Sequence, residues 1–202
     1  MEGAAQAPID ALAAALEVPA GPPSTARDGP SGLDRAAFTA VYRAELAWTV
    51  NTLRRLGVAS PDLQDAAQKV FTEVWKQRAT FDRQRPVKPW LFGFAYRVVG
   101  DYQRGAWRRR AVFEEVDAAV DGESGEDAVD AVRNRRLVLA ALDALDLDRR
   151  AVFVMADIDG VSAPEAAAAL GIPLGTVYSR LRLAREDFAA AVKRLRSKRG
   201  ER

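Results

Sequence analysis

Residues 162 to 185, SAPEAAAALGIPLGTVYSRLRLAR, place a helix start, a helix stop and a second helix start in immediate succession, which commits this stretch to two helices across a tight turn. Ser162 followed three residues later by Glu165 is a capping box, and Pro164 stands in the first turn, where a missing N–H costs little. The first helix is expected to run through Ala169 and stop at Gly171. Ile172 and Pro173 make the turn, and the fixed φ of Pro173 suits the start of the next helix. In that helix Leu174, Val177, Leu181, Ala184 and Phe188 recur at spacings of three and four and are expected to face inward. The opposite side carries Gly175, Tyr178, Ser179 and Arg182. Hydroxyl and guanidinium donors beside a glycine that permits close backbone approach suit phosphates at the helix N-terminus and base edges further along. This is the layout of a helix-turn-helix DNA reader; a plain αα-hairpin with a solvated basic face is the competing reading.

The 202 residues have room for one or two small domains, each able to bury a core. Cysteine and histidine are both absent, which removes disulfides, thiolate nucleophiles, imidazole bases and every Cys/His zinc site. With no P-loop or paired-glycine signature either, no enzyme, catalytic residue, cofactor or metal is expected. No apolar run approaches the roughly 18 residues of a membrane span, and no basic segment followed by an apolar one opens the chain. A cytoplasmic protein without membrane insertion is expected.

A net charge of +2 hides a strong segregation. Residues 1 to 32 carry net −3, 33 to 110 net +8 with fifteen basic residues against seven acidic, 111 to 148 net −8, and 149 to 202 net +5. Two basic blocks flanking an acidic connector are what two nucleic-acid-facing domains on a solvated linker would show, with chance segregation on a charged surface as the alternative. The first 32 residues, rich in Ala, Pro and Gly, are expected to be largely disordered. From residue 34 the pattern turns helical: Phe38, Val41, Tyr42, Leu46, Val50, Leu53 and Leu56 recur at three and four, and Gly57 ends the helix. A second helix is expected over 62 to 78 with Leu63, Ala66, Ala67, Val70, Phe71 and Val74 inward, then a loop over 79 to 88. A third begins near Pro89, with Trp90, Leu91, Phe94, Ala95 and Val98 on its apolar side and arginines gathered toward its end. Trp90 and Phe94, lying on that stripe, read as core rather than as DNA contacts. Residues 118 to 129 form an acidic linker, and helices over 130 to 144 and 148 to 158 lead into the helix-turn-helix. Nothing alternates as a strand.

Two motif series now stand in order. Asp62, Asp65, Gln68 and Phe71 precede Phe81 and Asp82, then Trp90, Leu91, Phe92, Phe94 and Ala95, then arginines from Arg104 to Arg110. Leu145, Arg150, Val152, Phe153, Gly160, Ser162 and Glu165 precede LGIP at 170 to 173, GTV at 175 to 177 and SRL at 179 to 181. From about residue 34 to 195 the chain resembles the extracytoplasmic-function group of bacterial RNA polymerase sigma factors, the first series resembling region 2 and the second region 4. The resemblance implies an all-α fold of two small helical domains joined by a flexible acidic linker. It divides the chain into an N-terminal extension (1–32), region 2 (33–112), linker (113–130), region 4 with the helix-turn-helix (131–197) and a basic tail (198–202).

The same resemblance implies a promoter-specificity subunit whose partners are core RNA polymerase, promoter DNA and an anti-sigma factor. The alternatives are a sigma-like mimic that only binds an anti-sigma factor, and a polymerase-independent helix-turn-helix regulator. Minus-35 contacts are expected from Gly175, Thr176, Tyr178, Ser179, Arg180, Arg182 and Arg185, and minus-10 contacts from Phe81, Asp82, Arg83, Lys88, Arg97, Arg104 and Arg108. Polymerase contacts are expected from Asp62, Asp65, Gln68 and Lys69, whose spacing equally fits a solvated helix face. Several positions depart from the family pattern: Arg97 replaces a frequent Asn, Gln64 and Lys69 stand where acidic residues are usual, and Tyr178 and Leu183 replace basic ones. Minus-35 specificity is therefore expected to be idiosyncratic.

Overall fold

The computed structural model describes residues 32–110 and 126–200, with side chains over 32–105 and 132–198. The expected disordered extension and most of the acidic linker lie outside the described residues. No β-strand occurs among the described residues.

Three helices build the N-terminal unit: α1 (Arg35–Arg55), α2 (Leu63–Gln77) and α3 (Val87–Arg110). Asp34 caps α1, its carboxylate accepting from the Ala37 N–H at 2.7 Å. Gly57, at φ +97°, turns the chain after α1 through a conformation that a side chain would strain. A short 3₁₀ turn, Ser60–Asp62, with Pro61 in it, leads into α2. The inward residues of α2 are those its periodicity predicts: Leu63, Ala66, Ala67, Val70, Phe71 and Val74 are all buried. Tyr42 of α1 meets Phe71 edge-to-face with ring centroids 4.7 Å apart, and Phe38 meets Trp75 at 4.9 Å. Leu91, Phe92, Phe94, Ala95 and Val99 of α3 close the core.

The C-terminal unit comprises α4 (Glu126–Leu142), α5 (Leu147–Phe153), α6 (Ala163–Leu170) and α7 (Leu174–Gly200). Helix α4 starts four residues before the expected 130, so the end of the anticipated linker is helical. The single helix expected over 148 to 158 is instead α5 followed by a wider π turn, Val154–Ile158. That turn swings Asp157 and Asp159 out of the α5 register, and each carboxylate meets an arginine from another element. Phe153 stacks on Phe188 of α7 at 4.7 Å.

The two units also pack on one another. Helix α3 lies against α6, and buried side chains of both units form one continuous apolar cluster.

Candidate nucleic-acid interface

The helix-turn-helix forms as its local signals dictate. The Ser162 N–H donates to Glu165 Oε2 at 3.1 Å while Ser162 Oγ accepts from the Glu165 N–H at 3.4 Å. The hydroxyl also holds the Glu165 carboxyl below its ordinary value. Gly171 ends α6 in the left-handed region at φ +66°. Val177, Leu181 and Ala184 then anchor α7, all buried. Leu174 does not join that stripe: it is 40% exposed, because the turn carrying Gly171, Pro173 and Gly175 stands in solvent with no helix packed over it.

Leu174, Gly175, Tyr178, Ser179 and Arg182 thus share the exposed side of α7, and Tyr178 at 58% is the most exposed large apolar side chain among the described residues. Ser179 Oγ donates to the Thr176 carbonyl at 3.0 Å. The arginines differ in freedom. Arg180 is half-buried and paired with Asp148. Arg185 donates twice to Asp157, at 2.8 and 2.7 Å, and this bonding pushes its guanidinium value up. Arg182 Nη1 bonds Glu186 Oε1 one turn on at 2.7 Å, with both side chains more than half exposed.

In the N-terminal unit the α2–α3 loop is tied down from both ends. Arg83 Nε donates to the Gly32 carbonyl at 2.6 Å and lies 3.6 Å from Asp34, while Asp82 accepts from the Gln84 N–H at 3.0 Å. Phe81 does not present its ring on the loop surface. It is buried against Trp90 at 4.7 Å, and Trp90 against Phe94 at 5.1 Å, so these three rings fasten the loop to α3. Lys88 sits 5.9 Å from the Trp48 ring and 4.0 Å from Glu45. Arg97 is exposed and lies over Phe94 at 4.6 Å, and Arg104 pairs with Asp101. The Arg108 side chain lies outside the described residues. Around the unit, Asp62, Asp65 and Lys69 line one open groove of about 710 Å³ between α2 and α3. Gln68 is half-buried beside it. Glu73, Asp101 and Tyr102, which the sequence did not single out, share its polar wall with Arg104, expected instead at the minus-10 strand, and the Tyr102 hydroxyl donates to Asp62 at 2.8 Å.

These two surfaces coincide with two known sequence families. The sigma-70 region 2 family matches residues 41–109 and the sigma-70 region 4 family matches residues 135–188. CnrH, an RNA polymerase sigma factor of Cupriavidus metallidurans, is 31% identical over 169 residues, which span 79% of this chain and 88% of that protein. SigL, an ECF RNA polymerase sigma factor of Mycobacterium tuberculosis, is 30% identical over 157 residues, 77% of this chain and 89% of that protein. The chain belongs to the ECF sigma factors of the sigma-70 family. Its fold agrees: the structure of CnrH in complex with the cytosolic domain of CnrY superposes with a TM-score of 0.59 at 26% identity, covering 79% of this sigma factor and 90% of that chain. RpoE in complex with the anti-sigma factor NepR from Bartonella quintana gives 0.60 at 22% identity over 77% and 96%, a likeness of fold.

The residues that join the two units of this sigma factor were not legible in its motifs. Tyr96 donates to Asp148 at 2.5 Å, and Arg55 pairs with Asp159 at 3.0 Å. Burial pushes the Tyr96 hydroxyl up to about 12, with the Asp148 carboxylate adding to the shift. Burial likewise pushes Asp159 up, against the pull of Arg55, the Trp48 indole and Lys88. The one available signal was Gly93, an isolated glycine inside an apolar helical stretch, which implies a close packing contact.

Proposed function

We infer that this sigma factor directs core RNA polymerase to specific promoters and starts transcription there. The observation that carries the reading is the pairing, in one chain and in family order, of a helix-turn-helix whose exposed face holds Tyr178, Ser179 and Arg182 with a three-helix unit whose exposed loop and α3 carry Arg83, Lys88 and Arg97. The first turn of α7, near Gly175 and Thr176, faces phosphate with the positive end of the helix, although the Thr176 N–H is itself bonded to the Pro173 carbonyl at 2.9 Å, and Ser179 and Arg182 point toward base edges in the minus-35 major groove. Residues 82 to 88 and Arg97 and Arg104 track the melted minus-10 strand, a task suited to irregular backbone and to cations. Phe81 supports that loop from beneath rather than touching DNA.

The groove lined by Asp62, Asp65 and Lys69 is the polymerase contact. It is polar and open, as a transient docking surface is expected to be. The protein acts by binding, without chemistry of its own, and in the cytoplasm, where polymerase works. No helix among the described residues is long and apolar enough to cross a membrane. An anti-sigma factor is its regulatory partner, as NepR is for RpoE in the Bartonella quintana complex. Co-elution with purified core polymerase tests the docking surface. The complex is expected for the parent chain and lost for Asp65→Arg, whose side chain is exposed and whose exchange leaves the core untouched. A complex that survives Asp65→Arg unchanged removes this groove from the contact.

A further inference from the structure

Helix α7 runs on past the region 4 family. That match ends at residue 188, whereas α7 continues to Gly200, and the sequence over 189 to 200 holds five cations and no carboxylate. In the first half of the helix every arginine is balanced: Arg180 pairs with Asp148, Arg182 with Glu186 and Arg185 with Asp157. Beyond Asp187 that changes. Lys193, Arg194, Arg196 and Lys198 are all exposed, and none has an ion pair among the described residues. Like charges three and four positions apart on a helix repel, so Lys193 with Arg196, and Arg194 with Lys198, weaken the helix they stand on.

The helix's own electrostatics accounts for part of this run. The carbonyl end of a helix favours cations, and that field fades within the last turn. Lys198 lies inside that turn, whereas Lys193 and Arg196 stand before it. Placement around the axis separates the four further. Lys193 stands about five turns from Gly175 and about three from Arg182, and Arg196 about five from Tyr178. Both therefore lie on the exposed side that carries Gly175, Tyr178, Ser179 and Arg182, opposite the buried Val177, Ala184 and Ala191. Arg194 and Lys198 are turned away from that side by about 100° and 140°. Glu186, the one carboxylate of α7 on the same side, is taken by Arg182.

Distance along the helix identifies the counter-charge. Lys193 and Arg196 are about 16 and 21 Å beyond Arg182 along the axis, at 1.5 Å per residue. The major groove is about 12 Å wide. With Ser179 and Arg182 at base edges inside the groove, cations this far along the same side come level with the strand that borders it, where Lys and Arg meet phosphate oxygens. We propose that Lys193 and Arg196 bind backbone phosphates of the duplex flanking the minus-35 element, extending the grip of α7 beyond the part it shares with the region 4 family. The place of this strip on the DNA rests on the promoter reading above; its affinity for duplex phosphate does not.

Salt dependence reads phosphate contacts directly, because each one releases a counterion. Two double variants of the full chain carry the same net charge and leave the core untouched: Lys193→Gln with Arg196→Gln on the DNA-facing side, and Arg194→Gln with Lys198→Gln off it. Fluorescence anisotropy follows the polymerase complex on a promoter duplex recovered by run-off transcription, and the full chain alone on a scrambled duplex of equal length. Loss of two phosphate contacts is expected to flatten the slope of log affinity against log salt by about 1.8 for the first variant. Raising salt from about 50 to 200 mM then weakens the parent about 12-fold more than that variant. The second variant is expected to keep the parent's slope to within about 0.5. The scrambled duplex should show the same contrast, since phosphate contacts carry no sequence. Equal flattening by both variants overturns the strip and leaves only a diffuse positive charge. An unchanged slope for the first variant also overturns it, and reduced transcript alongside would assign these cations to an acidic protein partner instead. Flattening by the first variant alone on the scrambled duplex, with transcript from no version, refutes the promoter reading and leaves the phosphate contacts in place.

Discussion

Replacing Arg182 with alanine tests the base-reading role of α7 most sharply, because its neighbours provide internal controls. Of Arg180, Arg182 and Arg185, Arg182 has the least to give up: its bond to Glu186 joins side chains 66% and 58% exposed. An exposed i,i+4 pair of this kind contributes at most about 1 kcal/mol. A guanidinium bidentate to a base gains about 1 to 3 kcal/mol of discrimination. Subtracting as much as 1 kcal/mol for the lost pair leaves about 0 to 2 kcal/mol, so Arg182→Ala is expected to weaken binding of the polymerase complex to its promoter by up to about 30-fold. Binding to a scrambled duplex of equal length should fall far less. Arg185, held twice by Asp157, behaves differently: Arg185→Ala is expected to weaken both duplexes alike, by about threefold or less. Glu186→Gln, which frees Arg182, should strengthen promoter binding. Fluorescence anisotropy on the two duplexes at fixed salt reads all of this. Equal losses on both duplexes for Arg182→Ala would refute base reading and reduce Arg182 to a phosphate contact.

Other outcomes follow from the core and from the junction between units. Phe71, fully buried and edge-on to Tyr42, is expected to cost about 3 to 5 kcal/mol when changed to alanine, read by denaturant unfolding, and a loss below 1 kcal/mol would mean that the N-terminal unit repacks around the gap. Tyr96 carries a pH dependence of known sign. Its hydroxyl value rises from 10.0 to about 12 when packed, so its contribution to docking is complete below pH 10 and is lost as pH climbs toward 12. Tyrosine-ring NMR should find Tyr96 titrating near 12 in the parent chain and near 10 in Gly93→Leu; equal values in both would mean that the junction does not bury it.

Local chemistry explains which parts of this architecture the sequence displayed. The Ser162–Glu165 box and Gly171 act within a few residues, so the helix-turn-helix was readable with its boundaries. The α2 stripe, from Leu63 to Val74, was readable because burial there follows helical period alone. Periodicity says nothing about where a neighbouring helix ends, which is why Leu174 fits the inward stripe and yet stands in solvent. Motif position is likewise silent on how Phe81 packs, and its ring is buried on Trp90 beneath the loop. The junction was hidden for a third reason. Arg55 and Asp159 are 104 residues apart, and Tyr96 and Asp148 are 52 apart, and an ion pair or a hydrogen bond between distant residues leaves no periodic trace. Only Gly93 marked it.

The central claim is that this chain confers promoter selectivity on RNA polymerase, and run-off transcription with purified core polymerase on a genomic promoter library measures that directly. Core enzyme plus the chain is expected to yield discrete transcripts from a small set of promoters sharing minus-35 and minus-10 elements, and core enzyme alone none of them. Transcripts that appear equally with and without the chain, or no transcript under any condition that supports a known sigma factor, would contradict the account.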